Sequence, residues 1–221
     1  MLPELLRIAI LTSLVLAVAA VHPRAVSGQD QPPRIGPFAF DIRGAVPNFP
    51  SDAQLAQSRG LGLEELPGRG LGLDAGAHLY LFKWRVITFG AGAQVTFARA
   101  SSAAVVQDGF ETARAVTSWF TAFTPQLSLN FGTGDGWSYI SGGLGTSVWS
   151  TVPDEQDPLP GDEERLGTIN YGGGARWFAK PHLAFTFDVR FHQINPGTPQ
   201  GGLPGSPRTT ILIIGAGVSI K

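Results

Sequence analysis

Leu183-Ala184-Phe185-Thr186-Phe187-Asp188-Val189-Arg190-Phe191-His192 alternates without a break. Leu183, Phe185, Phe187, Val189 and Phe191 hold one phase; Ala184, Thr186, Asp188, Arg190 and His192 hold the other. Period two sends the two sets to opposite faces of a β-strand, whereas a helix would scatter both around its circumference. The segment is a strand with one apolar face and one polar face. The rest of the chain decides which face meets water.

Seven further segments repeat the pattern. Phe38, Phe40 and Ile42 alternate with Ala39, Asp41 and Arg43. Leu71, Leu73, Ala75, Ala77, Leu79 and Leu81 alternate with Gly72, Asp74, Gly76, His78 and Tyr80. Ile87, Phe89, Ala91, Ala93, Val95 and Phe97 alternate with Thr88, Gly90, Gly92, Gln94 and Thr96. Trp119, Phe123, Leu127 and Leu129 oppose Ser118, Ala122, Gln126 and Ser128, with Pro125 on the apolar phase. Ile140, Leu144 and Val148 oppose Tyr139, Ser141, Gly143, Gly145 and Ser147. Ile169, Tyr171, Ala175 and Trp177 oppose Asn170, Gly172, Gly174 and Arg176. Leu212, Ile214, Ala216, Val218 and Ile220 close the series against Gly215, Gly217 and Ser219.

The connections alternate too. Residues 45–69, 99–115, 151–166 and 193–208 are long; 83–85, 132–136 and 179–181 are short. In an up-and-down antiparallel sheet every long loop then falls at one end and every tight turn at the other, the arrangement of transmembrane barrels. An even strand number returns the chain to the side on which it began. The expected fold is all-β, an eight-stranded antiparallel up-and-down transmembrane β-barrel over residues 38–221.

Composition agrees. Of 221 residues, 43% are hydrophobic and only 15% charged, too few charges for a water-facing surface of this size. The three lysines are Lys83, Lys180 and Lys221. With 29 glycines and 17 prolines the chain is poor material for a helical bundle. The net charge of −1 gives no pull toward nucleic acid, and zero cysteines exclude disulfides and thiol catalysis.

Residues 1–28 read as an export signal: Arg7, an apolar run from Ile8 to Val21, then the small residues Ala25-Val26-Ser27-Gly28. The run is too short to span a bilayer as a helix. Residues 29–37 are an N-terminal extension.

A soluble lipocalin-like carrier has the same alternation with the faces exchanged. Six charged residues lie in the strands, Asp41, Arg43, Asp74, Arg176, Asp188 and Arg190, and all six take the polar phase, a chance of about one in sixty. Arg or Lys facing lipid at mid-membrane costs roughly 2–4 kcal/mol, so lipid lies on the other face. Glycines also gather on the polar phase, which suits the narrow interior of an eight-stranded barrel. Trp84, Trp137 and Trp177 near the tight turns, with Trp119 and Trp149 near the loops, are read as interfacial girdles.

The hairpin Tyr171-Gly172-Gly173-Gly174-Ala175-Arg176-Trp177-Phe178, turn Lys180-Pro181-His182, and the strand quoted at the outset resemble the penultimate hairpin of small bacterial outer-membrane β-barrels of the OmpA-like transmembrane class. The resemblance covers essentially the whole chain after the signal. It implies export to the bacterial outer membrane, insertion by the assembly machinery, and contact with outer-membrane lipid and lipopolysaccharide. Such barrels often end on an aromatic residue and often continue into a peptidoglycan-binding domain; this chain ends Ile220-Lys221, and wall anchoring is not expected.

The candidate site is a luminal polar network of Asp41, Arg43, Asp74, His78, Arg176, Asp188, Arg190 and His192, since buried charges must be paired. Its structural reading is a plug and its functional reading an ion path. Catalysis would need a base such as His192 near Ser147 or Ser150; no motif joins them, and no enzyme activity, cofactor or metal is expected. The alternatives carried forward are a lipid A-modifying enzyme and the soluble carrier. Six carboxylates in 151–166 raise the question of Ca²⁺ or Mg²⁺, but Pro153, Pro158 and Pro160 favour an extended, solvated loop. Ser51-Asp52-Ala53-Gln54 has capping-box spacing and predicts a short helix in the first loop, ending near Gly60. A monomer with no nucleic-acid partner completes the expectation.

Overall fold

The computed structural model describes residues 34–221; the signal segment 1–28 and residues 29–33 lie outside them. Eight strands form the wall: β1 (Phe38–Asn48), β2 (Leu71–Trp84), β3 (Ile87–Ser102), β6 (Val116–Thr133), β7 (Gly136–Pro153), β8 (Arg165–Lys180), β9 (Leu183–Ile194) and β10 (Thr209–Ile220). Each pairs antiparallel with its neighbour. β1 and β10 close the ring, in register from Phe40↔Ile220 to Asn48↔Leu212. Closure leaves the wall no free edge for another chain to extend. The remaining strands, β4 (Val105–Gln107) and β5 (Phe110–Ala113), make a separate hairpin in the second long loop.

Two-residue turns at Arg85–Val86, Gly134–Asp135 and Pro181–His182 join the strands at one end. The long connections gather at the other. The first holds α1 (Ala53–Ser58) and a 3-10 turn (Leu63–Glu65). The helix is capped by Asp52, not Ser51: its carboxylate accepts from the amides of Gln54 (2.9 Å) and Leu55 (3.0 Å). Gly60, at φ +63°, turns the chain just past the helix end.

Orientation follows the alternation. Leu144 is 71% exposed and Phe185 66%, while Arg43, Arg176 and Arg190 are each 1% exposed. An apolar exterior over a charged interior is the inverse of a soluble barrel, so the wall stands in lipid. This orientation removes the soluble-carrier alternative. Pro125 sits on the outer face; the β6–β7 ladder lapses at Thr124–Pro125 and resumes in the same register, while β3–β6 pairing continues through Ala93↔Pro125.

Two of the five expected girdle tryptophans are misplaced by that reading. Trp137 and Trp149 point inward, 3% and 6% exposed, because they share the phase of Tyr139 and Ser147. Only Trp84, Trp119 and Trp177 face out. Two bulges also break the strict parity. Leu81 is extra in β2, which sends Phe82 outward opposite Phe89 and Lys83 inward opposite Thr88. Ala179 is extra in β8, which turns Lys180 outward opposite Leu183.

Candidate functional site: the charged interior

The inward phase of β1 supplies Asp41 and Arg43, that of β2 Asp74 and His78, and that of β9 Asp188 and Arg190. β8 adds Arg176. All are buried. Arg43 donates from Nε to Asp74 Oδ1 (2.9 Å) and pairs with the same carboxylate through Nη2; its Nη1 reaches the Tyr139 hydroxyl at 3.2 Å and Asp41 at 3.5 Å. Arg176 forks onto Asp41 through Nε (2.8 Å) and Nη2, and lies over the Tyr139 ring at 4.3 Å. His78 Nε2 is 3.3 Å from Asp41.

On the far wall Arg190 forks onto Asp188 (3.0 and 2.9 Å) and donates to Gln126 Oε1 and Ser141 Oγ, both at 2.9 Å. The Tyr139 hydroxyl donates to Asp188 at 2.6 Å. Gln94 bonds Asp74 and, at 3.4 Å, accepts from Gln126; Thr96 also donates to Asp74. The chain Arg43–Asp74–Gln94–Gln126–Arg190–Asp188–Tyr139–Arg43 therefore closes on itself. Its members and their ionic partners come from seven of the eight strands. Only β10 sends no side chain to it. Gly215 on that strand leaves room instead, since a Cβ there would meet the Arg43 Cβ and Cδ at 3.5 Å.

Seven of the eight expected residues join this network; His192 does not. Its ring is fully buried, packs edge-on against Phe120 (5.4 Å between centroids), and neither nitrogen has a hydrogen-bond partner among the described residues. Ser147 Oγ is engaged with Thr168 Oγ1 at 2.6 Å and makes no hydrogen bond with His192. Tyr139, Gln94, Gln126, Thr96 and Ser141 belong to the network without having been singled out. Their signal was their phase, which they share with the charges.

Apolar groups lie beyond the ions at both ends. At the turn end Ile35, Ala39, Trp137 and Tyr139 cluster, with Tyr80 and Phe178 against them. At the loop end Phe49, Leu55, Ala56, Leu61 and Leu66 of the first loop pack onto Val116, Phe120, Trp149, Ile194, Ile211 and Ile213; Phe49 and Trp149 stack at 5.7 Å.

The loops are tied to one another by ions. Glu65 accepts from Arg114 Nε (2.7 Å), Nη2 (2.9 Å) and the Arg114 backbone amide (2.9 Å). Arg114 pulls the Glu65 carboxyl down to about 2, against a smaller opposing effect of burial, and Glu65 in turn raises Arg114. Arg59 lies 3.5 Å from Asp162 and donates to the Trp149 carbonyl at 3.1 Å; burial lowers its pKa, and Asp162 offsets part of that. The 151–166 loop is thus not wholly solvated: Asp162 is 2% exposed and accepts from the amides of Thr151 (2.8 Å) and Leu159 (3.0 Å). No group of three or more His, Asp or Glu side chains suited to a metal occurs among the described residues.

No family model and no curated protein matches the sequence. Among solved structures, Ail, the attachment invasion locus protein of Yersinia pestis, in complex with the heparin analogue sucrose octasulfate, matches at 11% identity with a TM-score of 0.50, over 84% of this chain and 99% of that one. Neisserial surface protein A matches at 14% identity and a TM-score of 0.47, over 83% and 96% of the two chains. The outer membrane protein AlkL in lipid bilayers matches at 14% and 0.38, over 90% and 96%. The likeness to Ail is one of fold: this is the eight-stranded barrel of small bacterial outer-membrane proteins. The apolar exterior places it in that membrane.

Proposed function

We propose that the protein is a non-enzymatic resident of the outer membrane, with a plugged polar lumen and a structural or surface-interaction role carried by its loops. One observation carries the reading: side chains occupy the interior in series, aromatic at the turns, ionic in the middle and apolar beneath the loops. An eight-stranded barrel is only wide enough for such a filling, so solutes have no path. The unpartnered His192 and the engaged Ser147 leave the lipid A-modifying alternative without a catalytic pair.

Outer-membrane lipid and lipopolysaccharide surround the wall in this reading, the assembly machinery inserts it, and the closed ring needs no second copy. The heparin analogue held by Ail does not transfer readily, because the acidic 151–166 loop repels polysulfates. The test is electrical. Purified protein whose unboiled form migrates apart from its boiled form in SDS gels is expected to give no conductance steps in planar bilayers. Reproducible steps would overturn the plug.

A further inference from the structure

Two cavities adjoin at the turn-end rim of the wall, one on its lipid-facing side and one on its inner side. One, about 540 Å³, is an open apolar groove in the lipid-facing wall, bounded by Leu81, Phe82, Phe89, Leu127, Leu129 and Ile140. Gly142 also lines it, an outward position without a side chain between Ile140 and Leu144. The other, about 150 Å³, shares Leu81 and Phe82 with the groove and is lined besides by the buried Ile35 and by two exposed cations, Arg34 and Lys83. Tyr80 and Thr88 also line it, and the buried Tyr80 hydroxyl has no partner among the described residues. The bulge at Leu81 makes this junction: it turns Phe82 into the groove and Lys83 toward the mouth.

The charge around the site is one-sided. Among the described residues, Arg34, Lys83, Arg85, Lys180 and Lys221 lie at the turn end, against a single acid, Asp135. The loop end carries the opposite excess. The turn end of such barrels faces the periplasm, and the edge of the apolar band coincides with the headgroup layer.

We infer that this junction binds one anionic glycerophospholipid of the periplasmic leaflet, an acyl chain in the groove and the headgroup phosphate between Arg34 and Lys83. The inference rests on the membrane-barrel reading. Apolar groove, cationic end and their order along the membrane normal match an amphiphile of that polarity, and the site lies where its ligand is abundant. Basic pockets at a membrane surface select anionic headgroups in this way.

Native mass spectrometry tests it, on folded protein released from micelles doped with equal phosphatidylglycerol and phosphatidylcholine. The wild type is expected to retain a single phosphatidylglycerol, favoured over phosphatidylcholine by about fivefold, the factor given by ~1 kcal/mol. Arg34→Gln with Lys83→Gln should reduce the preference to parity. Gly142→Leu, which fills the groove, should cut retention of both lipids. Arg99→Gln with Arg165→Gln, at the loop end, should change nothing. In case a variant fails to fold, the wild type in 1 M salt supplies the same comparison and should lose the preference. Equal retention of the two lipids by wild type, a preference that survives loss of both cations or high salt, or its loss in the loop-end variant overturns the site. A wild type without heat-modifiable gel mobility would instead count against the barrel reading.

Discussion

In an Asp188→Asn variant the side chain keeps its shape and loses its charge. Three hydrogen bonds converge on that carboxylate: two from Arg190, at 3.0 and 2.9 Å, and one from the Tyr139 hydroxyl at 2.6 Å. Arg190 would then face neutral partners only: Gln126, Ser141 and the amide oxygen of the Asn. At 1% exposure it has no water to compensate. Breaking a buried pair by removing one partner costs about 3–5 kcal/mol, mostly the penalty of the stranded charge. Asn still offers an oxygen to Arg190, which puts the expectation near the lower end, about 3 kcal/mol, or roughly a hundredfold in the folding equilibrium. Adding Arg190→Met removes the stranded cation. The double variant is therefore expected to be more stable than the sum of the single changes by at least about 1.5 kcal/mol. Equilibrium urea unfolding in phospholipid vesicles, followed by tryptophan fluorescence and gel mobility, measures all four proteins. A single-variant loss below about 1 kcal/mol, as for a solvated pair, or strict additivity in the double, would show a wet interior and refute the filled lumen.

Leu144→Arg, midway along β7 and facing out, is expected to cost roughly 2–4 kcal/mol in the same assay, whereas a water-facing wall would tolerate it. Gly217→Ala should abolish the folded gel species, because its Cβ would stand 2.1 Å from the Ile42 carbonyl oxygen; Gly215→Ala, with nothing nearer than 3.5 Å, should fold, and equal behaviour of the two would contradict the β1–β10 register. The Glu65–Arg114 clasp has a defined pH window. The folded carboxyl titrates at about 2 against an ordinary 4.5, so the clasp contributes fully above about 4.5 and is lost as pH falls toward 2. Hydrogen exchange in residues 53–66, corrected for intrinsic rates, should rise below about pH 4 in the wild type and stay flat there in Glu65→Gln.

Strand number, order and orientation were legible because each rests on a local rule. Period two needs only neighbours, and long-then-short connections need only counting. The luminal charges were legible for the same reason: Asp188 and Arg190 share a phase within one strand. Which charge meets which was not, since Arg176 and Asp41 are 135 residues apart and meet only once the ring closes. Trp137 and Trp149 were readable in principle. Their parity places them inside, but treating every tryptophan as interfacial overrode the phase of the strand. Lys83 and Lys180 were not readable, because a bulge inverts parity and nothing at Leu81 or Ala179 announces one.

One feature of the interior needs the membrane itself to explain it. A strand spans the hydrocarbon in about 9–11 residues, yet β6 and β7 each run to 18. The surplus lies toward the loops, and there the filling of the interior changes from polar to largely apolar. In the turn-side half of β6, Gln126, Ser128 and Asn130 point inward while Leu127 points out; in the loop-side half Val116 and Phe120 join Ser118 inside, and Thr117 and Thr121 join Trp119 and Phe123 outside. β10 changes on its inner face alone, with Ile211 and Ile213 inside near the loops and Gly215, Gly217 and Ser219 inside below, while Leu212 and Ile214 keep its outer face apolar. Where lipid surrounds the wall, apolar side chains face outward and polar ones must satisfy each other within. Where water surrounds it, burial works the ordinary way, and the interior becomes an apolar core that α1 covers with Leu55 and Ala56. The single barrel therefore has two cores of opposite polarity, stacked along its axis.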